Sequence, residues 1–154
     1  MDQITITLAD PTDPLFDTLF ERHVQAMHAD TPPESIHMLP RTDLVAPNIR
    51  FLALVRGGQA LAMGAIKDHG DGLGEIKSMH VLSECRGQGL AVKVLEALIT
   101  QARQQGLTQL ALETGAQASF AAARRLYAKA GFQDCAPFAD YRRDPLSVFM
   151  MRRL

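Results

Sequence analysis

Near the start of the chain apolar and polar residues alternate. Ile4, Ile6 and Leu8 interleave with Thr5 and Thr7, the two-residue period of a half-buried strand. Asp13-Pro14 then reads as a helix cap followed by proline at the first helical position. Leu15, Phe16, Leu19, Phe20, Val24 and Met27 recur at helical spacing behind it. Residues 30–48, DTPPESIHMLPRTDLVAPN, show no period and are rich in proline. A loop of that length inside a compact domain is often a functional one.

Two short apolar runs, FLALVR and ALAMGAIKDH, flank Gly57-Gly58-Gln59 and predict a hairpin. DGLG makes another turn, and EIKSMHV follows as a central strand. A helix after it buries Val94, Leu95, Leu98, Ile99 and Ala102 and stops at Gly106. LTQLALE is a further strand, and a helix over about Ser119 to Ala130 ends at Gly131, a left-handed cap. FQDC and SVFMMRR close the sheet. The predicted order is β-α-β-β-β-α-β-α-β-β, a mixed α/β sheet with no linker, so residues 1–154 read as a single domain.

Composition changes that picture little. The 154 residues are 47% hydrophobic and 21% charged, which suits one domain with one core. A net charge of −1 argues against a nucleic-acid binder, although Arg124, Arg125, Lys129, Arg142, Arg143, Arg152 and Arg153 gather in the last fifth. That cluster reads as a solvated surface. Cys85 and Cys135 are too few for a disulfide framework and sit in no CxxC or Cys/His cluster, so neither disulfides nor a metal are expected. MDQITITLAD is too polar for a signal peptide, and no apolar run is long enough to cross a membrane. The cytoplasm is the default expectation.

The chemistry concentrates in SECRGQGLAVKVLEALI, where two glycines stand at a helix start. The first turn of a helix leaves backbone N–H groups without partners and gathers partial positive charge. A glycine-rich approach lets an anion come within reach of several of those groups, so Arg86–Ala91 reads as a phosphate cradle. It is neither a dinucleotide fingerprint, since Val92 stands where GxGxxG needs Gly or Ala, nor a P-loop. Glycines serving only a tight turn are the plain alternative.

Arg86-Gly87-Gln88-Gly89-Leu90-Ala91 matches the (Q/R)xxGx(G/A) pattern of the GNAT N-acetyltransferase superfamily. Leu126-Tyr127-Ala128-Lys129-Ala130-Gly131-Phe132 is similar to that family's LYxKxGF signature. The element order agrees too, so the resemblance spans nearly the whole chain. It implies a splayed, mixed central sheet flanked by helices. GEIKSMHV, LETG and PFADYRRDPLSVFM more narrowly resemble the YsnE-like group of bacterial acetyltransferases.

The resemblance implies acetyl-CoA as co-substrate, no metal, and direct transfer to a primary amine. Arg86, Gly87, Gln88, Gly89, Leu90 and Ala91 would hold its pyrophosphate through backbone amides. The strand backbone at Met79 and Val81 would pair with pantetheine. Tyr127 would be the general acid for the departing thiolate, against the alternative of a core aromatic. Glu75, eleven residues before Arg86, has the spacing of a catalytic glutamate in some members. His80 is its rival as base because imidazole titrates near neutrality, and water is the third choice.

One departure is Phe120, where many members carry a cofactor-contacting asparagine; Ser119 or Arg124 would then supply contacts from this helix. His37, Arg41 and Tyr141 lie in irregular segments where acceptor contacts belong. The acceptor is left open between small-molecule amines and a protein N-terminus, and a homodimer is compatible with the reading. Transfer of a longer acyl group, or an acyl-CoA sensor without turnover, are the alternatives.

Overall fold

The structure, a computed structural model, describes residues 3–154. The elements follow the predicted order: β1 (Ile4–Leu8), α1 (Asp17–Asp30), β2 (Ile49–Arg56), β3 (Gln59–Gly70), β4 (Leu73–Val81), α2 (Leu90–Gln104), β5 (Gln109–Gly115), α3 (Ala121–Lys129), β6 (Gln133–Asp134) and β7 (Ser147–Arg153). The Asp13 carboxylate caps the turn before α1 by accepting from the Leu15 amide at 2.9 Å. Gly131 follows α3 with φ +92°, the left-handed conformation that ends the helix.

The strands form one sheet in the order β1-β2-β3-β4-β5-β7-β6. Every neighbouring pair is antiparallel except β4 and β5. β3 reads as a continuous apolar run because Leu61 to Ile66 are buried, which requires cover on both faces. The apolar stripe of α2, Leu90, Val94, Leu95, Leu98, Ile99 and Ala102, is buried in the larger core. Gly64 on β3 permits that packing, since a Cβ there would lie 2.7 Å from Leu98 and 2.8 Å from the Met79 sulfur. A smaller cluster of Ala111, Phe138 and Phe149 forms beside it.

Two irregularities make the site. The parallel ladder between β4 and β5 holds only at Leu73–Gln109, Gly74–Leu110 and Glu75–Ala111, after which the strands part. β4 also slips register against β3: Ala65 faces Lys77 and Met63 faces His80, so Ser78 and Met79 together oppose Gly64. Ser78 sits at φ +56° in this bulge. Beyond Glu75, β4 therefore has a free edge facing a wedge.

The long loop at 30–48 is better ordered than its composition suggests. It contains two short 3₁₀ turns, Pro33–Ser35 and Arg41–Val45, and drives Leu44 into the core. Arg41 is spent on that packing. Its guanidinium donates to the Pro11 and Asp13 carbonyls, pairs with Asp17 at 2.7 Å, and lies 4.6 Å over the Phe20 ring. The acceptor contact expected of Arg41 is thus replaced by a tether between loop and α1. No helix among the described residues is long and apolar enough to cross a membrane.

Candidate active site

The wedge opens on two sides. On the side of α2 and α3 lies a cavity of about 650 Å³, bordered by Met79, His80 and Val81 of β4, the turn at Arg86–Ala91, and the α3 residues around Tyr127. Gly89 caps α2 at φ +75°, and the amides of Leu90, Ala91 and Val92 begin the helix without intrahelical acceptors. A Cβ at Gly87 or Gly89 would point into open space, with nothing within 4 Å. These glycines are thus needed for their left-handed backbone and for leaving the space before the amides empty, which fits an anion cradle. Gln88 contributes backbone only: its side chain turns away and accepts from Arg56 at 3.0 Å.

Tyr127 is buried between this cavity and the narrow wedge, a space of about 130 Å³ that it also borders. Its ring packs edge-on against Phe132 at 5.9 Å. Burial, and then the Glu113 carboxylate, push its phenol well above the usual tyrosine range, so it stays protonated throughout the neutral region. Phe120, the departure from the family pattern, borders both spaces.

Several sequence candidates are engaged elsewhere. The Arg124 guanidinium donates to the carbonyls of Gly115 at 2.6 Å and Gln117 at 2.9 Å, holding the β5–α3 loop. The Ser119 hydroxyl bonds the Asp30 carboxylate at 2.5 Å. His80 lies edge-on to His23, their rings 5.3 Å apart. Burial pushes both imidazoles down to about 4, with Arg86 and Arg22 adding to the effect on His80. His80 is accordingly neutral at pH 7 and a feeble proton acceptor.

On the opposite side of the wedge Glu75 is 2% exposed. Its Oε1 meets His69 Nε2 at 2.7 Å, and its Oε2 accepts from the Tyr141 hydroxyl at 2.5 Å and from Lys77 Nζ at 3.2 Å. Lys77 also donates to the Tyr141 oxygen at 2.8 Å and to the His37 carbonyl at 3.1 Å. Lys77 thus spends its three protons on three acceptors, and both Glu75 oxygens are occupied. A buried charge held this way is stable where it is and costly to disturb.

Sequence reasoning did not single out Lys77, His69 or Glu113. Glu113 stands on β5 just past the point where the strands part, and borders the wedge together with Tyr127. Burial raises its carboxyl to about 7, opposed by Lys77 and reinforced by Glu75 and Asp144. The available signal was an acidic residue closing the apolar run LAL in a central strand. Such a carboxylate is either paired or shifted.

Against known proteins, the profile of the Acetyltransferase (GNAT) family matches residues 14–132. The chain is 43% identical over 137 residues to the N-acetyltransferase YsnE of Bacillus subtilis, covering 89% of this chain and 91% of that protein. It is 40% identical over 146 residues to the N-acetyltransferase YedL of Escherichia coli, covering 95% and 92%. A Klebsiella pneumoniae structure described as an acyl-CoA N-acyltransferase superposes with a TM-score of 0.80 at 36% identity, covering 99% of this chain and 98% of the other.

Proposed function

This chain belongs to the GNAT acetyltransferase family, and from that membership we propose that it moves an acetyl group from acetyl-CoA directly to a primary amine. The observation that carries the reading is the position of Tyr127. It is a protonated phenol at the point where a cradle of free helix amides and a free strand edge converge.

The amides of the Arg86–Ala91 turn bind the pyrophosphate, where the α2 dipole adds to their attraction. The free edge of β4 at Met79 and Val81 pairs with pantetheine as an added strand would. Ser78 and Met79, at the β4 bulge and beyond the end of the β5 ladder, would present a backbone amide on the free edge to polarise the thioester carbonyl. The neutral amine attacks that carbonyl, the carbon–sulfur bond breaks, and Tyr127 protonates the sulfur. Cys85 and Cys135 have no part in this direct transfer. The wedge is small beside the cofactor-side cavity, which favours acetyl over longer acyl groups.

The acceptor enters from the other side, through a vestibule of about 570 Å³ between the 30–48 loop and the segment before β7. The test is a screen of purified protein with acetyl-CoA against amino acids, polyamines, small aryl amines and peptides with free N-termini. Release of CoA thiol is followed, and the product is checked by mass. Amine-dependent release with acetyl on nitrogen is expected, faster with acetyl-CoA than with butyryl-CoA. Tight acetyl-CoA binding with no turnover on any amine would favour a sensor instead.

A further inference from the structure

We propose that Glu113, across the splay from Glu75, takes the proton from the acceptor ammonium, and that Glu75 acts as a positioning residue in the wall the acceptor must pass. This assignment rests on the acetyl-transfer reading above.

Two carboxylates flank the parted strands, and their surroundings differ in kind. Glu75 belongs to a closed set: every proton of the Lys77 ammonium and both Glu75 oxygens are engaged. To act as a base it would have to break a 2.5 Å bond to Tyr141 and leave Lys77 a buried cation without its counter-ion. Glu113 makes no side-chain hydrogen bond with the described residues and borders the same wedge as Tyr127. It is therefore open to an incoming donor.

The charged and titratable groups facing it come from every neighbouring element. They are Glu75 and Lys77 on β4, Asp144 before β7, and Tyr127 on α3. Their balance, with burial, holds its carboxyl near 7. That value suits proton exchange with an ammonium near neutral pH.

The wall is defined by what it separates. Glu75, Lys77, His37 and Tyr141 border both the outer vestibule and the inner wedge. They join the two loops that frame the entrance: His37 packs edge-on to Tyr141 at 5.2 Å, and Ser35 bonds Asp144 at 2.7 Å behind them. His37 Nε2 is buried in this wall with no hydrogen-bond partner among the described residues.

The proton balance closes. The ammonium gives up two protons in a turnover: one passes to Glu113 and then to solvent. The other replaces the proton that Tyr127 hands to the sulfur as the nitrogen–carbon bond forms and the carbon–sulfur bond breaks.

The experiment compares Glu113→Gln and Glu75→Gln in the full-length protein. Unfolding midpoints and acetyl-CoA affinity confirm that the variants are folded. First, the side-chain carboxyls of ¹³C-labelled glutamate are titrated by NMR with CoA bound and no acceptor. One resonance should titrate near pH 7, vanish in Glu113→Gln, and move to lower pH in Glu75→Gln, because the nearby Glu75 charge helps to raise it. Second, kcat/KM is measured against pH with the best amine from the screen. Glu113→Gln should lose at least ~100-fold and the rising limb near pH 7. Glu75→Gln should keep that limb, shifted to lower pH, with KM raised more than kcat is lowered.

Glu113→Gln turning over near the parental rate overturns the assignment, as does loss of the limb in Glu75→Gln alone. If no amine turns over, the acetyl-transfer reading fails. The NMR titration then still decides whether Glu113 exchanges its proton near neutrality, and no such resonance would sink the inference by itself.

Discussion

The two sides of the wedge are built from different materials. The side proposed for the cofactor is mostly backbone: free amides at the start of α2, an unpaired edge of β4, and glycines that leave the space before them open. The side proposed for the acceptor is mostly side chain, with Glu75, Lys77, His69, Tyr141 and His37 drawn from β4, β3 and two loops. Backbone recognition depends on local conformation, and a short motif can specify it. Side-chain recognition depends on which distant segments meet, and tolerates new residues at each position. Under the proposed function, the first arrangement would keep one ligand constant while the second would let the acceptor change.

The greatest loss should come where the two sides meet. Tyr127→Phe keeps the packing against Phe132 and removes only the hydroxyl, so kcat should fall by ~100- to 10,000-fold with both KM values nearly unchanged. A turnover number within about threefold of the parent, with chemistry limiting the rate, would reduce Tyr127 to a core aromatic.

A smaller effect is confined to the cofactor side. Gly89→Val forces a β-branched residue into φ +75° and puts methyl groups in the space before the amides. Acetyl-CoA should bind about 10- to 100-fold more weakly by calorimetry, and the strained backbone should lower folding stability by about 1–2 kcal/mol. Unaltered affinity in a folded variant would mean that the turn is not the cradle.

Tyr141→Phe provides the complementary test on the acceptor side. It removes one donor from buried Glu75 and one acceptor from Lys77, costing about 1–3 kcal/mol of stability in thermal or urea unfolding. The acceptor KM should rise several-fold while the acetyl-CoA KM stays put. A change in the acetyl-CoA KM instead would break the division between the two sides.

Acid perturbs stability as well. His23 is held neutral in the fold down to about pH 4, whereas an unfolded imidazole takes a proton near 6.5. The unfolded state therefore binds more protons in that interval, and stability falls as pH drops from 6.5 towards 4, by on the order of 3 kcal/mol for His23. Glu113, with its raised carboxyl, contributes the opposite slope between about 7 and its ordinary range. His23→Gln should consequently flatten the acid limb of a plot of unfolding midpoint against pH. An unchanged limb would place the acid sensitivity elsewhere.

Most of the fold was legible in the sequence. Period-two and period-3.6 patterns give the ten elements in order, because each face must match its partner. Asp13, Gly106 and Gly131 mark helix ends through local backbone chemistry, and Gly87 and Gly89 mark the turn into α2 for the same reason. Only the tertiary structure decided where β4 and β5 stop pairing, since three residue pairs and then none is a property of two strands and not of either alone.

Side-chain partners also came from tertiary neighbours. Arg41 and Arg124, which the sequence offered as ligand contacts, donate to nearby backbone carbonyls. Glu75 carried the suggestive spacing, yet Lys77, His69 and Tyr141 occupy its oxygens. Glu113 drew no notice in one dimension. Its protonation is set by burial and by charges 36 to 38 residues upstream and 31 downstream in the chain, Glu75, Lys77 and Asp144, which meet it only after folding. Sequence determines conformation where the controlling forces are local. The proton affinity of a buried group is a sum over space, and only the folded chain evaluates it.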